Sequence, residues 1–158
     1  SADAMADAVR ALREASGLEV LPENPPGHVF LGELHPLDYY ARVLERADCG
    51  MLLDVAHLAI AQRALRRPPL EGLERFPLER VLEVHVAGAS LFEHRGRTFV
   101  DDDHGLAPLE DTWTILEHVL ARAERLRAVV VECERNLLED VLPLFRRVHA
   151  ALAAACPD

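Results

Sequence analysis

Gly50-Met51-Leu52-Leu53-Asp54-Val55-Ala56-His57 is the stretch on which the fold turns. A short apolar run of strand type ends on an acid and passes directly into residues with helical character. The same arrangement recurs three more times. Leu18-Glu19-Val20-Leu21-Pro22 leads into Glu23-Asn24, Val81-Leu82-Glu83-Val84 into His85, and Ala128-Val129-Val130-Val131 into Glu132-Cys133-Glu134. A helical stretch separates each run from the next. Strands alternating with helices imply a parallel sheet with right-handed crossovers. Nearly continuous apolar strands are those of a sheet buried on both faces.

Working outward, the spacing predicts a first helix over about 2–15, with Met5, Val9 and Leu12 on one face and Gly17 as a stop. The first strand is expected from Gly17 to Glu23, closed by Pro25-Pro26-Gly27. Pro36 opens a second helix with a stripe of Leu37, Tyr40, Val43 and Leu44. The second strand covers 50–55, a third helix His57 to Arg67, and a short helical piece 70–76. The third strand spans Arg80 to Val86. Gly88 then begins an expected irregular insertion over 89–105, ending in the acidic run Asp101-Asp102-Asp103-His104-Gly105. Long loops of that kind carry function more often than short ones. The fourth helix has Trp113, Leu116, Val119, Leu120 and Ala123 on one face, and the fourth strand covers 128–133. Asn136 and Glu139 read as a capping box for a last helix. Its stripe is Leu138, Val141, Leu142, Phe145 and Val148, with a kink expected at Pro143.

The fold class is therefore α/β: a parallel (β/α) half of a TIM-barrel-like fold, about four strands with flanking helices. The 158 residues suffice for a single α/β domain over 1–158. A full barrel needs about 250 residues. Four strands cannot close on themselves, and the two apolar edges predict self-association or a second chain completing the barrel.

Composition narrows the function. Half of the residues are apolar, which supports a packed core. The net charge of −10 argues against nucleic acid as a partner. No apolar run reaches the roughly 20 residues needed to span a bilayer, so no membrane role is expected. Cys49, Cys133 and Cys156 form no C-x-x-C pair and no disulfide framework; reduced thiols in a cytoplasmic protein are the expectation. Arg without any Lys suggests a GC-rich bacterial genome.

In parallel α/β sheets chemistry is built where the strands end. Glu23, Asp54 with His57, His85 and Glu132 all fall there, and Asp102 and His104 stand two apart in the insertion. Mixed carboxylate and imidazole donors suit iron, manganese or zinc. Glu83 shares a strand face with His85, since side chains repeat every two residues, and is expected to support it from outside the ligand set. Each acid alone has an ordinary role as a helix N-cap or ion-pair partner. Asp102-Asp103 reads equally as a solvated turn, and His57 as a first-turn helix residue. His28, His35, His94, His118 and His149 lack converging partners and are expected at the surface. Cys133 is expected to pack rather than react. It is the coincidence of strand-end positions that points to a metal site.

The ordered motifs Glu23-Asn24-Pro25, Leu52-Leu53-Asp54-Val55, Glu83-Val84-His85-Val86-Ala87-Gly88, Asp102-Asp103-His104, Trp113 and Val131-Glu132 resemble the C-terminal half of the multinuclear non-heme iron-dependent oxidases. That family includes the iron oxidase of methanobactin biosynthesis. The resemblance covers roughly residues 17 to 136. It implies a TIM barrel and two or three iron ions at the strand ends. It also implies oxygen-dependent oxidation of cysteines in a ribosomally made precursor peptide, with a partner protein presenting that peptide. Position by position, Glu23 resembles the family's glutamate before Asn24, Asp54 its next strand-end aspartate, and His85 the histidine of its Glu-x-His-x-Ala-Gly run. Asp102 and His104 resemble its Asp-x-His pair, and Glu132 its last-strand glutamate. The family has two Asn where Ala56 and His57 stand, a histidine where Ala89 stands, and Glu-Arg-Asp where Glu132-Cys133-Glu134 stands. Its first strands have no counterpart in these 158 residues. Two other readings stay open: a divalent-metal isomerase or hydrolase of the xylose-isomerase-like barrel type, and a non-catalytic half barrel that binds a partner.

Overall fold

The structure is a computed structural model and describes residues 1–27 and 32–155. His28 and Cys156 lie outside the described residues. The element order is α1 (Ala2–Ser16), α2 (Pro36–Ala47), β1 (Met51–Asp54), α3 (Val55–Ala64), a 3₁₀ turn (Leu78–Arg80), β2 (Val81–Ala87), β3 (Ala89–His94), β4 (Arg97–Asp102), α4 (Glu110–Leu120), β5 (Ala128–Glu132) and α5 (Leu138–Ala155). β1, β2 and β5 form a parallel sheet in that order, and β3 and β4 form a separate antiparallel hairpin. The class is the expected α/β half-barrel arrangement, with a parallel sheet and flanking helices.

The sheet register positions the chemistry. Asp54 pairs with His85, His85 with Val130, and Ala87 with Glu132. Because all three strands run the same way, their C-terminal ends share one rim. α3 follows β1 without a loop. Asp54 ends the strand and also caps the helix, its Oδ1 accepting from the His57 N–H at 2.7 Å. Val55 through Gln62 of that helix are all buried. Leu58 and Ile60 are 1% exposed, and burying each such side chain stabilises by about 1.5–3 kcal/mol.

Five expectations are corrected. The first strand is reduced to an isolated parallel bridge between Glu23 and Leu52, with Leu52 N–H donating to the Pro22 carbonyl at 3.2 Å. Among the described residues the rest of 17–22 pairs with no strand; Pro22 has no N–H to continue a ladder. Residues 70–76 form successive turns rather than a helix, and the helical piece that leads into β2 is the 3₁₀ turn after Pro77. The insertion is not irregular: it is the β3–β4 hairpin, turned by Arg95 (φ 50°) and Gly96 (φ 71°). Two successive left-handed residues match the right-handed twist of a two-residue hairpin turn.

The last two corrections concern α5. It starts at Leu138, so Asn136 is not its cap; the Asn136 amide donates instead to the carbonyls of His104 and Cys133. The helix runs on through Pro143. Its inward face is Val141, Leu144 and Val148, whereas Leu138 is 76%, Leu142 43% and Phe145 46% exposed. The helix is apolar on two faces, and only one is covered by the described residues.

Candidate metal centre

Glu23, Asp54 and His85 each offer one donor atom, and these atoms lie within 4.8 Å of one another. Three segments bring them together: the bridge at Glu23, the end of β1 and the middle of β2. Asn24 locks the first two, its side-chain amide donating to the Asp54 carbonyl at 2.8 Å while its Oδ1 accepts from the Asp54 N–H at 2.9 Å. Tyr40 of α2 donates to the Glu23 carbonyl at 2.7 Å, and burial, with the neighbouring Tyr39 and Glu23, holds its hydroxyl above the ordinary range.

The other expected residues join the same network. His85 Nδ1 lies 3.3 Å from Glu132 Oε1, and its Nε2 3.2 Å from Glu83 Oε1. His57 Nε2 is 2.8 Å from Asp102 Oδ2, and its Nδ1 2.7 Å from the Asn24 carbonyl. His104 Nε2 is 3.4 Å from Asp102 Oδ2 and 3.6 Å from Glu132 Oε2. The hairpin thus delivers Asp102 and His104 to the rim at the end of β4, so the acidic run is not merely a solvated turn. Asp103 does have a turn role, accepting from the Gly105 N–H at 2.9 Å.

Charge at the rim is poorly balanced. Asp54 is fully buried, and burial raises its carboxyl to about 7 against the lowering influence of His57. Burial alone would lower His57; the Asp102 hydrogen bond, the Asp54 charge and the Asn24 carbonyl together raise it to about 9. Burial raises Asp102, but its contacts with His57 and His104 leave it below the usual carboxylate range. For His104, burial pulls down while the Glu134 hydrogen bond and the Asp102 and Glu132 charges push it up.

These residues fit a cation. Asp54 Oδ2, Asp102 Oδ1 and His85 Nδ1 are buried without a hydrogen-bond partner, the Glu132 contact to His85 being close but not aligned. Buried polar atoms ordinarily find partners, and a set of carboxylate oxygens and imidazole nitrogens facing one another is the donor set of a hard or borderline divalent metal.

Sequence reasoning passed over Glu134, whose Oε1 lies 2.7 Å from His104 Nδ1. Its position two residues after Glu132 was the available signal, since it continues the period-two side of β5. Two histidines expected at the surface are half-buried instead. His35 caps α2, accepting from the Leu37 N–H at 3.2 Å, with its Nε2 3.1 Å from Gln62 Oε1. Burial holds His118 on α4 below its ordinary value. His94 and His149 are exposed as expected, and Cys133 packs against the core with its thiol toward the Val131 carbonyl.

The sequence profile described as "RiPP precursor modification enzyme MbnB/TglH/ChrH" matches residues 1–154. Among curated relatives, a UPF0276 protein of Anaeromyxobacter sp. is 30% identical over 146 residues, 91% of this chain and 48% of the relative. One from Caulobacter sp. is 27% identical over 154 residues, covering 95% and 55%. One from Acaryochloris marina is 28% identical over 120 residues, covering 75% and 42%. The chain spans about half the length of the curated relatives it matches. Among the described residues no helix is long and apolar enough to cross a membrane.

Proposed function

Since the chain belongs to the MbnB/TglH/ChrH family of RiPP precursor modification enzymes, we propose that its residues 1–158, as one α/β domain, supply the ligand-rich part of a non-heme iron oxidase. Its substrate would be a ribosomally made precursor peptide, modified at cysteine. The observation that carries the metal reading is Asp54, whose buried Oδ2 has no hydrogen-bond partner and whose carboxylate has an oxygen within 4.8 Å of donor atoms of Glu23 and His85.

Glu23, Asp54 and His85 would hold one ion. Asp102, His104 and Glu132 stand beside them as the ligands of a further ion, with His57 bridging the two sets through Asp102. When bound, iron supplies the redox chemistry with dioxygen that no side chain here can perform. The protein's own contribution is orientation. Asn24 fixes the Asp54 backbone, Glu83 accepts from His85 Nε2, and His57 ties the hairpin end to the start of α3. His57, with both ring nitrogens against oxygen acceptors, donates from both, so it holds a proton and lowers the repulsion between Asp54 and Asp102. That arrangement holds Asp54 and Asp102 close together before metal arrives.

A peptide-presenting partner protein and a second chain completing the barrel belong to the same proposal. The test is co-expression with a candidate Cys-rich precursor peptide, followed by peptide mass spectrometry. A mass change at cysteine that needs both iron and air is the expected result. An unchanged peptide with metal-loaded, folded protein and its partner present would contradict the oxidase, and turnover with zinc or manganese would favour the isomerase or hydrolase class.

A further inference from the structure

His104 is the least freely placed residue of the rim. It sits in the left-handed region at φ 50°, which a residue with a side chain rarely adopts and which persists only where the surroundings dictate it. Three features dictate it here. The Asp103 carboxylate accepts from the Gly105 N–H at 2.9 Å and closes the turn. Gly88 lies so close beneath that a Cβ there would collide with the Gly105 carbonyl. Asn136, from the loop after β5, donates to the His104 carbonyl at 2.9 Å. The same loop supplies Glu134, 2.7 Å from the imidazole Nδ1.

We propose that Glu134 and Asn136 are positioning residues, which together fix the backbone of His104 and the ring nitrogen it presents to Asp102 and Glu132. This rests on the metal-site reading above. The Glu134 side chain is 62% exposed and meets the site through His104, so it has no place among ligands. A carboxylate is an acceptor, so the Nδ1 facing it carries the proton. Nε2 is the nitrogen left for a metal, facing Asp102 Oδ2 at 3.4 Å and Glu132 Oε2 at 3.6 Å. A metal ion taken up at Nε2 would stand in place of a second proton between the imidazole and these carboxylates. A carboxylate behind a metal-binding histidine sets its tautomer and strengthens it as a donor.

Zinc(II), which is diamagnetic, is the probe, added to the full chain with ¹⁵N-labelled histidine. In wild-type protein the long-range ¹H–¹⁵N spectrum should show His104 protonated at Nδ1 and metal-bound at Nε2. Glu134→Ala should lose that signature and about 10- to 100-fold in zinc affinity. Glu134→Gln, whose amide oxygen still accepts from Nδ1, should restore the signature and most of the affinity. Asn136→Ala should weaken zinc binding while keeping the Nδ1 proton. Wild-type signature and affinity in Glu134→Ala would overturn the inference, as would a Glu134→Gln variant no better than Glu134→Ala. If the wild type takes up no zinc, the metal reading fails instead. The inference is then judged in metal-free protein, where the Nδ1 proton should stay observable in wild type and Glu134→Gln and exchange away in Glu134→Ala.

Discussion

Asp54, the last residue of β1, and His85, two residues before the end of β2, are register partners on adjacent parallel strands, and each carries a buried side-chain atom without a hydrogen-bond partner. A parallel ladder gives such a pair little freedom, because moving either residue means slipping a whole strand. His85→Ala is therefore expected to lower metal occupancy and activity together. Glu83→Ala, which loses only the contact behind the ring, should cost about 10- to 100-fold in affinity. His94→Ala, on the exposed hairpin, should change neither. Metal content per chain after anaerobic purification checks all three, and full occupancy in folded His85→Ala would remove the best-placed ligand.

The metal-free protein should lose stability as pH rises. His57 is raised from 6.5 to about 9, burial being outweighed by Asp102, Asp54 and Asn24. Its contribution is fully present below 6.5 and is lost as pH climbs through about 9. Asp54, raised by burial from 3.8 to about 7, acts in the same direction at lower pH. Asp102, held low by His57, opposes it by losing stability only in acid. The His57 share is on the order of 2–3 kcal/mol. Urea unfolding of chelator-stripped protein at pH 6 and pH 9 measures it, with His57→Gln flattening the difference. Equal stability at both values would mean that His57 is not protonated in the folded state.

Gly88→Ala should destabilise the protein by about 1–3 kcal/mol, the usual cost of forcing an extra group into packed surroundings. The new methyl meets the backbone of Gly105 rather than a side chain that can withdraw. The loop carrying His104 must shift, so metal affinity should fall along with the unfolding midpoint. A variant with native stability would show that the 103–105 turn is not held from below.

Self-association is expected from the outer edge of β5, which has no strand partner among the described residues, and from the exposed Leu138 and Phe145 of the following helix. Sedimentation should show mass rising with concentration, and Leu138→Glu with Phe145→Glu should suppress it. A 17.6 kDa monomer at all concentrations would contradict this.

Much of the site was readable because parallel strands put their last residues in one place. Once Asp54, His85 and Glu132 were assigned to strand ends, their convergence followed from topology. The approach of Asp102 and His104 came from the family resemblance, because the hairpin that carries them went unread. Its strands are exposed along most of their length, leaving no apolar alternation to detect, and the Arg95-Gly96 turn was the sole local sign. The first strand failed for the opposite reason: 18–22 is apolar enough, but Pro22 breaks the ladder and leaves only the bridge at Glu23. Glu134 offered a local sign in its spacing from Glu132, but what it and Asn136 act on lies about thirty positions away, and local reasoning does not reach that far.

The central claim is that the rim is built to hold metal, and iron content after oxygen-free purification tests it most directly. The account predicts more than one iron per chain in wild-type protein and a clear loss in His85→Ala. A folded wild-type sample that holds no metal, and takes up none when iron(II) is supplied, would contradict it and leave the non-catalytic half barrel as the better description.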